Sequence, residues 1–205
     1  MEDLAPSIVA AGAVFSYLHE TEHHKIEHIS KLNRIESDKY VWLDRFTIRN
    51  LEIFNSSSPN GQSLLETINK CITPMGARLL KRWLALPLKD KSAIEQRSDV
   101  VAELMKNDSL RNWLKKEFKS IGDIERLVSK VSFGRINPKE LLFLFKSLEF
   151  LPELQHQLST TSSKSLNSKG QGLDLCEEIT QKIAHTLHPE APVLLSKGNV
   201  IASGV

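Results

Sequence analysis

The chain has 205 residues, a length that suits one or two domains. Its 40% hydrophobic and 25% charged residues are ordinary for a soluble globular protein, and the formal net charge is only +2. A charge so balanced does not require a nucleic acid or an anionic membrane as partner, and no apolar run is long enough to span a bilayer. The first residues lack the basic start of a signal peptide, so we expect a cytoplasmic protein.

Apolar side chains at helical spacing open the chain and recur through most of it. Over residues 4–20 they form one stripe, which predicts a helix. Residues 40–54 hold short mixed segments that suit strands or strand-like connectors, and residues 193–202 hold two apolar runs around a turn. The sequence therefore predicts a mainly α, multi-helix domain with a few short β segments near residues 40–54 and 193–202.

A possible zinc-binding pattern lies at the end of the first predicted helix. His19-Glu20-Thr21-Glu22-His23 matches His-Glu-x-x-His, in which two histidines one turn apart bind zinc and the glutamate acts as base. Positions 26 and 29, where a metzincin requires glycine and histidine, are both isoleucine, and the match lies where apolar residues give way to polar ones. We therefore favour an exposed helix end and predict no metal site. A zinc-dependent hydrolase is the alternative.

Start and stop signals divide the centre of the chain into successive amphipathic helices. Polar caps, prolines in a first turn and acidic residues nearby mark the starts, whereas proline or glycine marks the ends. The predicted starts are Pro74, Asp90 or Ser92, Asn107 or Asp108, Gly122-Asp123 and Asn137-Pro138, and the predicted ends are Pro87 and Gly134.

Residues 159–172 interrupt this pattern. They are rich in Ser, Thr, Lys, Asn and Gly with one Leu, a composition that predicts a mobile loop because it buries little apolar surface. The chain has two cysteines, Cys71 and Cys176, which we expect to be reduced and buried as small apolar groups. A last helix follows the loop, with an inward stripe of Cys176, Ile179, Ile183 and Leu187.

A basic and aromatic group in the helix that starts at Pro74 suggests contact with nucleic acid. Arg78, Lys81 and Arg82 lie beside Trp83, and such groups bind phosphates and stack on bases. Trp83 also falls on the apolar stripe of that helix, so we favour a buried Trp83 and solvated basic side chains. A free-standing helical nucleic-acid-binding module is a further alternative.

The sequence carries no recognisable catalytic motif. It has no Gly-Lys dipeptide, and therefore no Walker A loop, and no Gly-x-Ser-x-Gly elbow. Asp123 and Glu125 are most simply the acidic first turn of a helix, where either can pair with Arg126. We therefore predict no catalytic, cofactor-binding or metal-binding residue.

Several blocks of the chain carry a shared pattern. Residues 10–18 form a small-residue helix, residues 43–52 contain Leu-Asp, Thr and Arg-Asn-Leu-Glu, and residues 61–88 contain Thr-Pro-Met-Gly-Ala-Arg-Leu-Leu-Lys-Arg-Trp-Leu. With the positions that follow, nearly the whole chain resembles the core, or lever-base, domain of the bacterial MutS family of DNA mismatch-repair proteins. The signature positions, which we interpret as packing and capping residues, are Asp44, Thr47, Arg49, Asn50, Leu51, Glu52, Thr73, Met75, Gly76, Arg78, Leu79, Leu80, Trp83, Leu84, Pro87, Arg97, Asp123, Glu125, Arg126, Leu127, Gly134, Arg135 and Pro138.

The resemblance implies a place within a longer protein. Residues 1–9 would be the end of a connector and the start of the first core helix, and residues 10–205 the first part of the core, cut before the lever helices and the clamp. The parent would bind mismatched duplex DNA, ATP and Mg, form a homodimer and meet a MutL-type partner. The family's Phe-x-Glu mismatch wedge and its ATP-binding loop do not occur in this sequence. This part would therefore hold no cofactor, act on no substrate and contact no membrane.

The resemblance also implies a role for packed helices. The segment would join the connector to the levers, with ATPase and DNA-gripping clamp beyond, and couple nucleotide state to DNA grip. Arg97 and Glu125 are charged residues within otherwise apolar blocks. We therefore predict that they pair at a contact between two helices.

Overall fold

A computed structural model describes residues 5–21, 29 and 37–204. The described chain is mainly helical, which confirms the predicted fold class. Single turns of 3-10 helix occur at Ser37–Lys39 and Leu195–Lys197. The α-helices are α1 Ala5–Glu20, α2 Arg45–Asn50, α3 Leu64–Ile68, α4 Pro74–Ala85, α5 Lys91–Lys106, α6 Asp108–Glu117, α7 Ile124–Ser132, α8 Pro138–Leu148, α9 Leu151–Ser159, α10 Lys164–Gln171 and α11 Glu177–Thr186. Within the described ranges, none of these is both long enough and apolar enough to cross a membrane.

The central helices begin at polar side chains that cap their free backbone N–H groups. In each case a side-chain oxygen accepts a hydrogen bond from the N–H three residues later, as N-caps commonly do. At α8 the cap is reciprocal, because Glu140 also accepts from the backbone N–H of Asn137. These starts confirm the predicted ones and resolve the open choices. The N-caps of α4 to α8 are Thr73, Asp90, Asn107, Asp123 and Asn137.

Helix α7 ends at the glycine that the sequence marked as a stop. Gly134 has a φ of +62°, in the left-handed region that glycine enters without strain. Its N–H donates to the Val131 carbonyl at 2.9 Å, and the N–H of Arg135 donates to the Lys130 carbonyl at 2.8 Å. This pair of bonds is a Schellman motif, so Gly134 and Arg135 act as a C-cap.

The short β segments predicted near residues 40–54 do not form, and helix α2 occupies residues 45–50 instead. The Asp44 carboxylate accepts a hydrogen bond from the Thr47 N–H at 2.6 Å and caps α2. The β structure at this segment is limited to an isolated bridge between Tyr40 and Leu88. The alternation of side chains was misleading because a capped helix of six residues is too short to show its own period.

The hairpin predicted within residues 193–202 does not form either. Ile201 pairs with Leu187 at the end of α11, and the His188 N–H donates to the Val200 carbonyl at 2.9 Å. The second apolar run therefore pairs with residues that precede the first run in the chain, and not with the first run itself. The end of α11, and not the adjacent run, supplies the backbone groups to which this segment binds.

Two clusters of buried leucines form the interior. Leu110, Leu114 and Leu166 pack together with partly buried side chains of α5, α6 and α9. Leu127, Leu144 and Leu148 form a second cluster with side chains that include Cys176. Ile183 and Leu187 are buried as predicted, whereas Ile179 on the same helix is 55% exposed. The interior thus divides between the helices around α6 and those around α8.

The segment 159–172 is not a loop throughout, as its composition predicted, because helix α10 occupies most of it. Ser163 is 4% exposed and caps the helix, and Leu166 is 5% exposed. Gly170 faces α9 so closely that a Cβ there would lie 2.9 Å from Leu158 Cβ. One leucine and one glycine at the right places therefore suffice to dock the helix.

The acceptors that hold the start of α10 come from α5. Ser163 Oγ donates to Asp99 at 2.6 Å, and Ser162 Oγ donates to Glu103 at 2.9 Å. The hydrogen bond from Ser163 is the main reason why the pKa of Asp99 lies below its ordinary value. The two carboxylates also face the positive end of the α10 dipole. The prediction from composition missed this helix because the hydrogen-bond acceptors that hold its start belong to α5.

Candidate functional site

Three charged signature residues meet between α4 and α7. Arg78 donates from Nη1 and Nη2 to the two oxygens of Asp123, at 2.9 and 2.6 Å, and from Nε to Glu125 at 2.7 Å. Asp123 is the N-cap of α7 and Glu125 lies in its first turn. We call this arrangement of Arg78, Asp123 and Glu125 the Arg78 clasp. It joins parts of the chain 45 and 47 residues apart.

The geometry of the clasp depends on a guanidinium group. A planar fork can meet one carboxylate with two parallel hydrogen bonds and still offer a third donor to another. The bonds from Arg78 lower the pKa of the Asp123 carboxyl, and the two carboxylates, Asp123 first, raise the pKa of Arg78. The side chains of Arg78 and Glu125 are 49% and 64% exposed, so solvent and salt reach the contact. The clasp is a specific but breakable link.

A second charged contact links α5 to α4. The guanidinium of Arg97 lies 3.6 Å from the centre of the Trp83 ring, a cation–π arrangement. The predicted pairing of Arg97 with Glu125 is therefore wrong, since Arg97 stacks on Trp83 and Glu125 binds Arg78. Both residues do lie at interhelix contacts, but the sequence could not assign their partners.

The basic and aromatic group on α4 differs from its prediction. Trp83 is 40% exposed rather than part of the core. Arg78 is engaged by two carboxylates, and the Lys81 ammonium lies 5.6 Å from the centre of the Phe54 ring. Arg82 is exposed, with no ion pair recorded to a described residue. The three basic residues therefore do not form one free cationic surface, which weakens the nucleic-acid interpretation.

The zinc pattern falls partly outside the described residues. His19 lies in the last turn of α1 and is exposed, whereas His23, His24 and His28 lie outside the described ranges. In the described part of the chain, no three His, Cys, Asp or Glu side chains are grouped to hold a metal ion. The zinc alternative stays a prediction. Cys71 is exposed, contrary to the expectation of a buried thiol.

The remaining signature positions divide between caps, packing residues and exposed side chains. Asp44 and Thr73 cap helices, and Glu52, at a φ of +49°, accepts from the Ser57 N–H at 2.7 Å and closes the turn after α2. The buried positions are Leu127 and Pro138, and the half-buried ones are Thr47, Met75, Gly76, Leu80, Leu84 and Pro87. The exposed ones include Arg49, Asn50, Leu51, Leu79, Arg126, Gly134 and Arg135.

A buried contact next to the clasp was not predicted. Ser147 of α8 is 1% exposed; its hydroxyl accepts from the Gly122 N–H at 3.1 Å and donates to the Phe143 carbonyl at 2.9 Å. The bond fixes the backbone directly before Asp123. No local signal in the sequence marks a serine in an apolar stripe as such a support.

Comparison with known proteins identifies the family. A profile of the family described as MutS domain III matches residues 46–203, a range that includes both the clasp and the Arg97–Trp83 stack. The chain belongs to the MutS domain III family. The resemblance seen in the sequence is thereby confirmed.

The MutS relatives match the chain along its whole length. The DNA mismatch repair protein MutS of Flavobacterium psychrophilum is 45% identical over 205 residues, that of Cytophaga hutchinsonii 45% over 204, and that of Bacteroides thetaiotaomicron 42% over 205. In each case all of this chain is covered, but only 24% of the relative. The chain thus spans about a quarter of the length of these MutS proteins.

Proposed function

We propose that this chain is the non-catalytic core segment of a MutS mismatch-repair protein. In that role it joins the connector to the lever helices and carries strain between a DNA-gripping clamp and an ATPase. ATP and Mg would be bound elsewhere in the longer protein, as would the mismatched DNA. The family membership supports the setting, and the observation that carries the role is the Arg78 clasp. Its three charged side chains bind one another instead of facing a pocket.

The clasp suits a coupling role because it can be made or broken at little cost. Coupling between sites requires an element with two arrangements whose balance both sites shift. The principal helix pairs in the described chain are α9 with α10, α8 with α11, α5 with α6 and α10, α7 with α8, and α3 with α4. Helices α4 and α7 are not among them, and the charged clasp is the contact that joins the side chains of these two helices. An exposed ionic contact of this kind can open without exposing a core.

The test is Arg78→Ala in a full-length MutS protein that contains this segment. We expect the stimulation of ATP hydrolysis by mismatched duplex DNA to fall by roughly two- to tenfold, the scale on which such residues modulate coupling. Basal hydrolysis should not change, because no catalytic group is removed. Arg82→Ala is the matched control, since Arg82 lies one turn along the same helix and makes no ion pair recorded among the described residues.

Two results would contradict the proposal. One is full stimulation in Arg78→Ala, which would make the clasp a static contact. The other is ATP turnover by the purified 205-residue chain itself, since the proposal places that chemistry elsewhere. Besides these two results, a preference of the purified chain for mismatched over matched duplex would favour the nucleic-acid-binding alternative.

A further inference from the structure

A groove that plays no part in the clasp runs along one face of α8. Its other wall is the segment 189–197, which follows α11. The groove has a volume of about 1030 Å³, at the upper end of the range for ligand pockets, and it is partly open to solvent. Its two walls come from separate segments of the chain, so a partner seated there would contact both.

The α8 wall combines two cations with an aromatic side chain. Lys139, Phe143 and Lys146 occur at positions i, i+4 and i+7, which places them on one face of the helix. The two lysines are therefore about 10 Å apart along the axis, at about 1.5 Å per residue. Phe143 is 44% exposed between them. Neither lysine has a recorded ion pair with any residue that the structure describes.

The opposite wall is mostly apolar, and one of its residues is anchored in the interior. Pro189 and Pro192 fix their own φ angles, and Ala191 between them is 5% exposed and anchors the segment. Val193 and Leu194 are 49% and 57% exposed and face the groove. A preformed wall of this kind lowers the entropy lost on binding.

The charge of the groove is positive. Lys197 adds a third cation at the end of the second wall. Of the two carboxylates that line the groove, Glu140 is bound to Lys130 and to the backbone of Asn137, which also lowers its pKa. Glu190 is the remaining one. Three lysines therefore lie beside the apolar residues of the groove, with one carboxylate that no other described group binds.

We propose that this groove binds an acidic amphipathic helix of a partner protein. That helix would present an apolar residue flanked by carboxylates one turn away on each side, the complement of Lys139, Phe143 and Lys146. Helix-in-groove recognition uses such anchors at helical spacing. The apolar residues of the second wall favour a peptide over a nucleic acid, because a phosphate backbone has no apolar face to bury there. The inference is independent of the role assigned to the clasp.

The probe is a synthetic peptide of about 14 residues, long enough to form a helix in a bound state. The test peptide has leucines at helical spacing with glutamates around them. A scrambled peptide of identical composition is the reference. Binding to the purified chain is followed by fluorescence anisotropy. We expect the test peptide to bind at least about tenfold more tightly than the scrambled one, with affinity that falls as salt is raised.

Variants of the chain locate the site. The groove triple variant is Lys139→Glu/Lys146→Glu/Lys197→Glu. It should bind the test peptide about tenfold or more weakly, and it should bind a peptide that has lysines in place of the glutamates. Lys70→Glu/Lys115→Glu/Lys182→Glu is the matched control, because it makes the same charge change at exposed lysines outside the groove. Leu194→Ser tests the apolar wall and should also weaken binding. Circular dichroism melts check that each variant folds.

Three outcomes would overturn the proposal. Equal affinity for the test and scrambled peptides would mean charge attraction without a groove. An equal loss of peptide affinity in the groove and control triple variants would also mean charge attraction without a groove. Binding of duplex DNA, but not of the peptide, in a manner lost with the groove lysines would show a phosphate site instead.

Discussion

At the scale of single residues, Arg78 illustrates why one arginine can matter more than its exposure suggests. Its guanidinium meets a carboxylate that already caps α7, so one side chain of α4 is tied to the start of another helix. A lysine would supply a point charge and could not make the two parallel bonds to Asp123. The arrangement is therefore a property of the residue type as well as of its charge.

The clasp predicts a pH dependence of stability. The folded-state pKa of Asp123 lies below its ordinary value of 3.8, chiefly because of Arg78. A lowered pKa contributes stability that is complete above the unfolded-state value and is lost as the pH falls through the folded-state value. We expect the melting temperature to drop between about pH 5 and pH 2, and to drop less in Arg78→Met. If the melting temperatures of the two proteins fall equally across this pH range, the clasp adds nothing to stability.

Gly122, directly before Asp123, allows a test of the packing around the clasp. Gly122 is buried, and a Cβ there would overlap the ring of Phe143. We expect Gly122→Ala to destabilise the chain by about 1–3 kcal/mol, the usual cost of overpacking. In Gly12→Ala the new Cβ would meet nothing within 4 Å, in the middle of α1. Urea denaturation should show a loss in the first variant, and no loss or a small gain in the second, because alanine favours helix.

At the scale of elements, α10 depends on its neighbours for its existence. Its sequence is polar, and its mean composition favours a loop, yet α5 supplies acceptors and α9 supplies a close surface. A helix of eight residues is not stable alone in water. Tertiary contacts therefore decide its conformation.

Removal of the α10 cap should loosen this helix before the rest of the chain. Ser163→Ala deletes the hydroxyl that accepts from the Leu166 N–H and donates to Asp99. We expect a loss of about 0.5–2 kcal/mol, typical for an N-cap, and faster amide hydrogen exchange in α10. Ser168→Ala is the control, since Ser168 is exposed on the same helix. If exchange in α10 is unchanged in Ser163→Ala, packing alone holds the helix.

At the scale of the whole molecule, much apolar surface is left uncovered. Helix α1 has no buried residue along its length, and Ile8, Val9, Val14 and Tyr17 are each more than half exposed, at 63%, 71%, 58% and 65%. Phe46 and Trp42 are about three-quarters exposed, at 75% and 76%. Apolar patches of this extent usually mark surfaces that meet other protein. The MutS relatives are about four times as long as this chain, which covers 24% of them.

The uncovered helix predicts how the isolated chain behaves. A helix with no buried residue has little to stabilise it beyond its own propensity. In the purified chain we expect the amides of α1 to exchange hydrogen far faster than those of α8, which carries buried Leu144 and Leu148. Hydrogen exchange with mass spectrometry makes this comparison within one sample. Equal protection of α1 and α8 would show that α1 is covered, for instance by self-association.

The sequence by itself determined the features whose physics is local. Caps such as Asn107, Asp123 and Asn137 and the stop at Gly134 act within one turn, so residue type and spacing sufficed to predict them. The family followed from blocks of residues read together. Tertiary structure alone decided the partners of Arg78 and Arg97, the helix at α10 and the pairing of Ile201 with Leu187. Each of these depends on groups distant in sequence, and a charge or a carbonyl carries no local mark of the partner that folding will bring to it.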